Sequence, residues 1–365
     1  MKIKDTMLFN DTPFVALDFD IMERNIKRIA DLAKKSNVKL RPHTKTHKSA
    51  YIAHKQIKAG AIGITTATLG EAEVMASAGI HDILIAFPII GKKKLERFSY
   101  LLKRTKLSVA FDYITVAYGI NQVGEEQNIK IPVYIDIDTG LHRMGKTPSE
   151  SVSSILEIAK LPYIKIKGLM SHAGHADNER DEAKIKKIAL DEAEKLQETK
   201  VALEKKGITI EEISVGATPT ARFIDQLPFI TEARPGTYVF NDRSVMATGG
   251  AKEEDCAVSV LSTIVSFPSK DRFIIDAGSK TLTQDLFSGG GFGHIKGHNN
   301  LTISWLSEEH GIVNIQGETD LRVGDIIEII PNHVCPVVNL TDNIYGFRNN
   351  KFERMITVDA RGMVK

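Results

Sequence analysis

Two rhythms of apolar and polar positions run along this chain. Short runs, several of them apolar on both faces, recur at 38–43, 61–67, 82–88, 107–112, 131–138, 163–172, 211–217 and 229–240. They have the length of strands. Between them, apolar residues fall three and four apart at 48–59, 69–79, 91–104, 113–122, 149–160, 178–206 and briefly 218–225. That spacing predicts amphipathic helices. A strand at 13–18 and a helix at 20–36, with Ile21, Ile26, Ile29, Ala30 and Ala33 on one stripe, come first. Strands apolar on both faces belong in a parallel sheet covered by helices. Eight of them with seven intervening helices predict an α/β fold, a TIM-type (β/α)8 barrel over 20–245. A doubly wound open sheet would need fewer strands and usually a Gly-rich turn after the first. Here the first barrel strand ends in RPHTKTHK, without glycine.

The rhythm changes near 245. Long helical patterns stop, and strand-like runs at 256–267, 272–275, 312–315, 326–330 and 354–359 are separated by Gly, Asp and Asn. They predict a second, mainly β domain over 246–365. The strand in 1–19 precedes the barrel and is assigned to that domain as well. The 178–206 helix is rich in Lys and Glu on one face, which reads as a solvated surface.

Composition narrows the function classes. A chain of 365 residues suits two domains, one of them a barrel. With 42% hydrophobic and 26% charged residues it can bury a sizeable core. Lys and Arg number 48 against 46 Asp and Glu, a net charge of +2 that advertises no nucleic acid and no membrane surface as partner. Two cysteines exclude a disulfide scaffold. No apolar run reaches the length of a membrane span, and MKIKDTMLFNDTP lacks the apolar centre of a secretory leader. The expectation is a soluble cytoplasmic protein with reduced thiols.

Barrel active sites lie at the C-terminal ends of the strands. The first strand ends in Arg41-Pro42-His43-Thr44-Lys45-Thr46-His47-Lys48. His43 and His47 on an extended segment would stand roughly 13 Å apart, too far to share a metal ion. Pro42 argues against a helix there. Lys45 is either a nucleophilic amine at the barrel mouth, desolvated and near other cations, or part of a charged loop. Asp136 and Asp138 share a strand face and suit acid–base or metal work, or cap the turn at Gly140. His172 ends the sixth strand, as a catalyst or as a satisfied polar residue. The seventh and eighth strands end in Gly216-Ala217-Thr218-Pro219-Thr220 and Arg234-Pro235-Gly236-Thr237-Tyr238. Small residues and hydroxyls at those two ends have the chemistry of a phosphate cup.

In the β domain, His333 and Cys335 stand two apart. On an extended segment both would point to one face, where imidazole and thiolate suit Zn²⁺ and leave positions open for water and substrate. The other reading is a buried cysteine beside an ordinary histidine. Gly289-Gly290-Gly291-Phe292-Gly293 is a loop over a site rather than a dinucleotide fingerprint, because no helix follows it. Cys256 lies in an apolar run and is expected in the core.

Taken together, PHTKTHK, DTGLHRMG, GLMSHAGH, GATPT, RPGTYVFND, DAGSK and NHVCPVVNL resemble the D-serine dehydratase and D-threonine aldolase family of fold-type III pyridoxal-phosphate enzymes, related to alanine racemase. The resemblance spans Thr12 to about Leu340. It implies that Lys45 binds pyridoxal 5'-phosphate through its ε-amine and acts as the catalytic base. It implies His172 against the pyridine ring, Arg143 near the phenolic oxygen and Arg234 at the ring nitrogen. Gly216, Thr218, Gly236, Thr237 and Tyr238 would hold the phosphate. His333 and Cys335 would bind Zn²⁺ or Mn²⁺. Within the resembled family the aldolases carry Asp at the position of Cys335 and the dehydratases Cys, which favours a lyase that dehydrates D-serine or D-3-hydroxyaspartate. Retro-aldol cleavage by the same parts is the first alternative, and an amino-acid racemase the second. A homodimer acting on a small D-amino acid is the implied assembly.

Overall fold

A computed structural model describes residues 11–365; residues 1–10, and with them most of the stretch read as lacking a leader, lie outside the described residues. By contact density the chain forms two compact units. One comprises 28–45, 50–236 and 362–365, the other the residues up to 27, 46–49 and 237–361.

The first unit is a parallel ring. Its strands are Lys39–Leu40, Ile64–Thr66, Asp82–Ile85, Lys106–Phe111, Ile131–Asp136, Ile164–Met170, Glu212–Val215 and Glu232–Ala233. Neighbours in the ring are neighbours in the chain, and the first strand pairs with the last, Lys39 with Glu232 and Leu40 with Ala233. The ring closes between the first two strands through Ile62 N to Leu40 O, Thr65 N to Pro42 O and a bridge between His43 and Thr65. All eight expected strands therefore form, and closure excludes the open sheet. The helices Ala50–Lys58, Leu69–Ser77, Lys92–Leu102, Ile114–Gln127, Pro148–Ile158, Glu182–Glu204 and Thr218–Ala221 cover it. Several start where local sequence dictates. Thr68 accepts from Glu71 N, Thr147 and Glu150 form a capping box before Pro148, and Asp181 accepts from Ala183 N and Lys184 N.

Strand pleating sorts the side chains with a period of two. Ile83, Ile85, Val109, Phe111, Val133, Ile135, Ile213 and Val215 belong to the large buried layer shared with the helices. The alternate positions Leu84, Ala110, Tyr134 and Met170 form a separate small cluster, the ring interior. Two residues on from Tyr134 and Met170, the same pleat sends Asp136 and His172 inward. It likewise places Ser214 and Gly216, and Glu232 and Arg234, on the interior.

The second unit is built on a mainly antiparallel sheet in the order Leu301–Leu306, Gly311–Ile315, Arg272–Ile275, Val258–Ser269, Phe14–Asp18, Asn343–Arg348, Lys351–Thr357, with Ile326–Ile330 joined to Val258–Ser269 and to His294–Ile295. Phe14–Asp18 pairs antiparallel with Val258–Ser269 and parallel with Asn343–Arg348. Val258, Val260, Ile264, Phe273, Ile303, Val313 and Ile329 are fully buried in it, and so is Cys256 apart from a 4% remnant. No helix among the described residues is long and apolar enough to cross a membrane.

Candidate active site

Lys45 sits in the turn Thr44–Thr46, just past the first barrel strand, and its amide donates to His43 Nδ1 at 3.4 Å. His43 is held in place by its own amide, which donates to Pro235 O at 3.0 Å. The His43 imidazole is pushed well below its ordinary pKa by burial, then by Lys45, Arg234, His172 and Arg143. His172 is affected in the same way. Burial, Lys45 and Arg143 lower it to about 3. Its Nδ1 contacts Gly216 O. A carbonyl only accepts, so Nδ1 carries the proton and the ring is a neutral imidazole.

The influence of Lys45, Arg143 and Arg234 on both His43 and His172 marks three cations gathered around two neutral imidazoles at the strand ends. Arg143 lies on the loop after the fifth strand and lines a recess with Asp136 and His172. Arg234 is 5% exposed, its Nη1 donating to Ser214 Oγ and its Nη2 to Ser171 O at 2.6 Å. Burial lowers its pKa, with Glu232, Asp136 and Glu192 opposing. Asp136 is raised to about 6, first by burial, while Arg234 and Arg143 pull it down. A site with this much fixed positive charge and two neutral imidazoles is prepared for an anion. The close approach at Gly216 agrees, since a Cβ there would stand 3.2 Å from Arg234 Nη2.

Asp138 does what the turn reading expected. Its Oδ1 accepts from Gly140 N at 2.9 Å and His142 N at 3.0 Å, and its Oδ2 meets His142 Nδ1 at 2.7 Å. Gly216 and Gly236 are buried and Thr218 opens the short helix Thr218–Ala221 in the barrel unit, whereas Thr237 and Tyr238 belong to the β unit. His47 also lies in the β unit. Its Nδ1 accepts from Ser49 N at 3.1 Å and its ring meets Phe240 edge-on at 6.4 Å.

The β unit carries His333 and Cys335, and here the expected local structure is corrected. The segment is not extended: His333 is the N-cap of the helix Val334–Leu340, and Cys335 is its second residue. Pro336 is tolerated because an N–H in the first turn has no intrahelical partner to lose. The two side chains still interact. His333 is raised to about 9: burial opposes this, and Cys335, Asp242 and Asp285 outweigh it. Negative charge gathered around an imidazole and a thiol fits a divalent cation. Cys335 Sγ is 3.3 Å from Thr46 Oγ1 and 3.9 Å from Thr237 Oγ1. No group of three or more His, Cys, Asp or Glu that could hold a metal ion is found among the described residues.

Some side chains around the barrel site were not foreseen. Glu192, on the helix read as a solvated Lys/Glu face, is 1% exposed and accepts from Ser171 Oγ at 2.5 Å. Burial raises it to about 7. Glu232 is fully buried and accepts from Arg41 Nε at 2.8 Å and Ser214 Oγ at 2.6 Å. Their only sequence signal is a charged residue inside an otherwise apolar pattern.

A closed parallel barrel with a lysine, a neutral histidine and two arginines at its strand ends, together with a mainly β unit, defines an alanine racemase-like enzyme. The family model for the alanine racemase N-terminal domain matches residues 17–244, and that for the serine dehydratase domain matches 257–347. The chain belongs to this alanine racemase-like family, in its lyase branch of D-amino-acid dehydratases and aldolases. It is 32% identical to a D-threo-3-hydroxyaspartate dehydratase from Delftia sp. (strain HT23), over 91% of this chain and 93% of that one. It is 30% identical to a D-threonine aldolase from Arthrobacter sp., over 96% and 93%. The crystal structure of a D-threonine aldolase from Filomicrobium marinum superposes with a TM-score of 0.91 at 31% identity, covering 97% of this chain and 96% of that one. D-threo-3-hydroxyaspartate dehydratase has been solved as a histidine-to-alanine mutant, and as a cysteine-to-alanine mutant in the metal-free form; both superpose with TM-scores of 0.90 at 30% identity, each covering 96% of this chain and 95% and 98% of theirs. The two substituted residues stand two apart in that protein.

Proposed function

We propose that this enzyme is a pyridoxal-phosphate-dependent dehydratase that converts a D-3-hydroxy amino acid, of the D-serine or D-3-hydroxyaspartate type, into a 2-oxo acid and ammonia. The observation that carries the proposal is the grouping of Lys45, Arg143 and the buried Arg234 around the neutral His172 at the strand ends. Lys45 would hold pyridoxal phosphate there, which would supply an electron sink for charge developing on the substrate α-carbon. Lys45 Nζ is the group that would take the α-proton. His172 keeps its Nδ1 proton on Gly216 O, offers a flat neutral face and does not compete for the α-proton. Arg143 and Arg234 balance anionic groups of cofactor and substrate. Gly216, Thr218, Gly236, Thr237 and Tyr238 are the proposed phosphate-binding set.

His333 and Cys335 would hold Zn²⁺ or Mn²⁺, whose Lewis acidity assists departure of the β-hydroxyl. Support comes from the interaction of His333 with Cys335 and from the dehydratase whose cysteine-to-alanine form is metal-free. Cys335 rather than Asp supports elimination. The similarity to D-threonine aldolases supports the second reading, cleavage of the Cα–Cβ bond to glycine and an aldehyde. Homodimerisation and a cytoplasmic location complete the proposal.

Incubation with pyridoxal phosphate, Zn²⁺ or Mn²⁺, and D-threonine separates the two readings. 2-Oxobutanoate and ammonia are the expected products; glycine with acetaldehyde makes the enzyme an aldolase. Lys45→Ala is expected to abolish turnover and the visible absorption of the lysine-bound cofactor. A full absorption band in that variant contradicts the assignment of Lys45.

A further inference from the structure

The Gly-rich segment 285–293 of the β unit is tied to the residues around His333 at several points. Asn332, 2% exposed, donates from Nδ2 to Asp285 O at 2.9 Å and to Gly291 O at 2.8 Å. Arg243 Nη1 donates to Gly290 O at 2.7 Å and to Asn332 Oδ1 at 3.1 Å. The Arg243 guanidinium also lies 4.0 Å from the centre of the Phe287 ring. Gly290 and Gly291 take φ of 81° and 78°, which other residues rarely adopt, and a Cβ on Gly291 would stand 3.1 Å from Ile303 O. The turn is therefore shaped to bring Asp285 back over His333, where Asp285 Oδ2 lies 3.0 Å from His333 Nδ1.

An ionised carboxylate only accepts hydrogen bonds. A histidine that holds a metal through one nitrogen keeps a proton on the other. We propose that Asp285 is a positioning residue for the metal: it fixes the proton of His333 on Nδ1 and aims Nε2 at the divalent cation, with the segment 285–293 as the clasp that holds Asp285 in place. The inference rests on the reading of His333 and Cys335 as the metal-holding pair. An exposed Asp–His pair adds little to folding stability, so orientation of the imidazole is the role its position leaves it.

The test is Zn²⁺ affinity, measured by chelator competition on the cofactor-loaded full chain and its variants. Loss of an outer partner of a ligating histidine typically weakens binding about 10–100-fold. Asp285→Ala is expected to show that loss, with the melting temperature of the zinc-free enzyme and the visible absorption of the cofactor unchanged. Asp285→Asn, which keeps an acceptor oxygen, is expected to fall between wild type and Asp285→Ala. His333→Ala is expected to lose the site. Wild-type affinity in Asp285→Ala, with loss in His333→Ala, overturns the role of Asp285 alone. Equal affinity in wild type and His333→Ala, or no Zn²⁺ bound by wild type, overturns the metal reading and this inference with it.

Discussion

A glutamate on a lysine-rich helix ordinarily faces water, but Glu192 is buried against the sheet. Its Oε1 accepts from Ser171 Oγ, and its Oε2 is a buried atom without a hydrogen-bond partner. Burial raises its pKa to about 7, with Ser171 and Arg234 opposing. Because the folded state binds this proton more tightly than the unfolded state, the associated stability is fully present below the ordinary glutamate value. It is lost as the pH rises through 7. His172, held down to about 3, has the opposite sign: its contribution is present above the ordinary histidine value and is lost on acidification. The two are separated by a substitution. Glu192→Gln keeps an oxygen for Ser171 and abolishes the ionisation, so the histidine contribution cancels between variant and wild type. The cofactor-free variant is predicted to gain stability relative to wild type as the pH is raised from 5 to 8, with an upper bound of about 3 kcal/mol. Urea unfolding across that range checks it, and a pH-independent difference contradicts it.

At the scale of elements, the helix Val334–Leu340 depends on a residue far away in the chain. Asp242 Oδ2 accepts from Val334 N and Asp242 Oδ1 from Val245 N, both at 3.0 Å, so one buried carboxylate caps two helices. Losing a cap costs about 1 kcal/mol, and an orphaned buried donor adds to that. Asp242→Ala is predicted to cost about 2–4 kcal/mol, read from the urea midpoint; Asp242→Asn, which keeps one acceptor, should cost less. A loss below about 1 kcal/mol in Asp242→Ala refutes the double cap. The same helix shows where the sequence was illegible. VCPVV is β-branched and contains proline, its cap lies 92 residues away, and nothing local announced a helix. The strand Asn343–Arg348 was missed because Gly346 interrupts its pattern. That glycine is there for close packing, as a Cβ would stand 2.3 Å from the Phe19 ring. The barrel strands were legible because helices cover one face and the ring interior the other, leaving apolar runs. The helix starts at Thr68, Thr147 and Asp181 carry their caps locally. Lys45, His172 and Arg234 were legible by lying at strand ends. Glu192, Glu232 and Ser214 were not, because only the closed ring brings their partners to them.

At the scale of the whole chain, the two units differ in what fills them. The β unit is packed with aliphatic and aromatic side chains, whereas the barrel interior is crossed by charge. Arg41 is 1% exposed and meets Asp82 at 2.5 Å through Nη1 and Glu232 at 2.8 Å through Nε. Burial alone would lower its pKa; Glu232 and Asp82 outweigh burial and hold it above the ordinary arginine value. Glu232 also accepts from Tyr134 Oη at 3.4 Å and from Ser214 Oγ, and Ser214 Oγ accepts from Arg234 Nη1. The chain Asp82–Arg41–Glu232–Ser214–Arg234 thus runs along the ring interior to the proposed cofactor site. Buried ion pairs contribute little net stability, but breaking one leaves an uncompensated charge and costs about 3–5 kcal/mol. Arg41→Met is therefore predicted to destabilise by that amount. Combining it with Glu232→Leu removes both charges, and the double variant is predicted to recover at least about 2 kcal/mol relative to the sum of the single losses. Function should not recover with it. Without Glu232, Ser214 no longer links Arg234 to a fixed negative charge, and the visible absorption at a set cofactor concentration should stay below wild type. Strictly additive stability losses would mean that the ion pair is not a unit, and full cofactor binding in the double variant would mean that the charged interior serves the fold rather than Arg234.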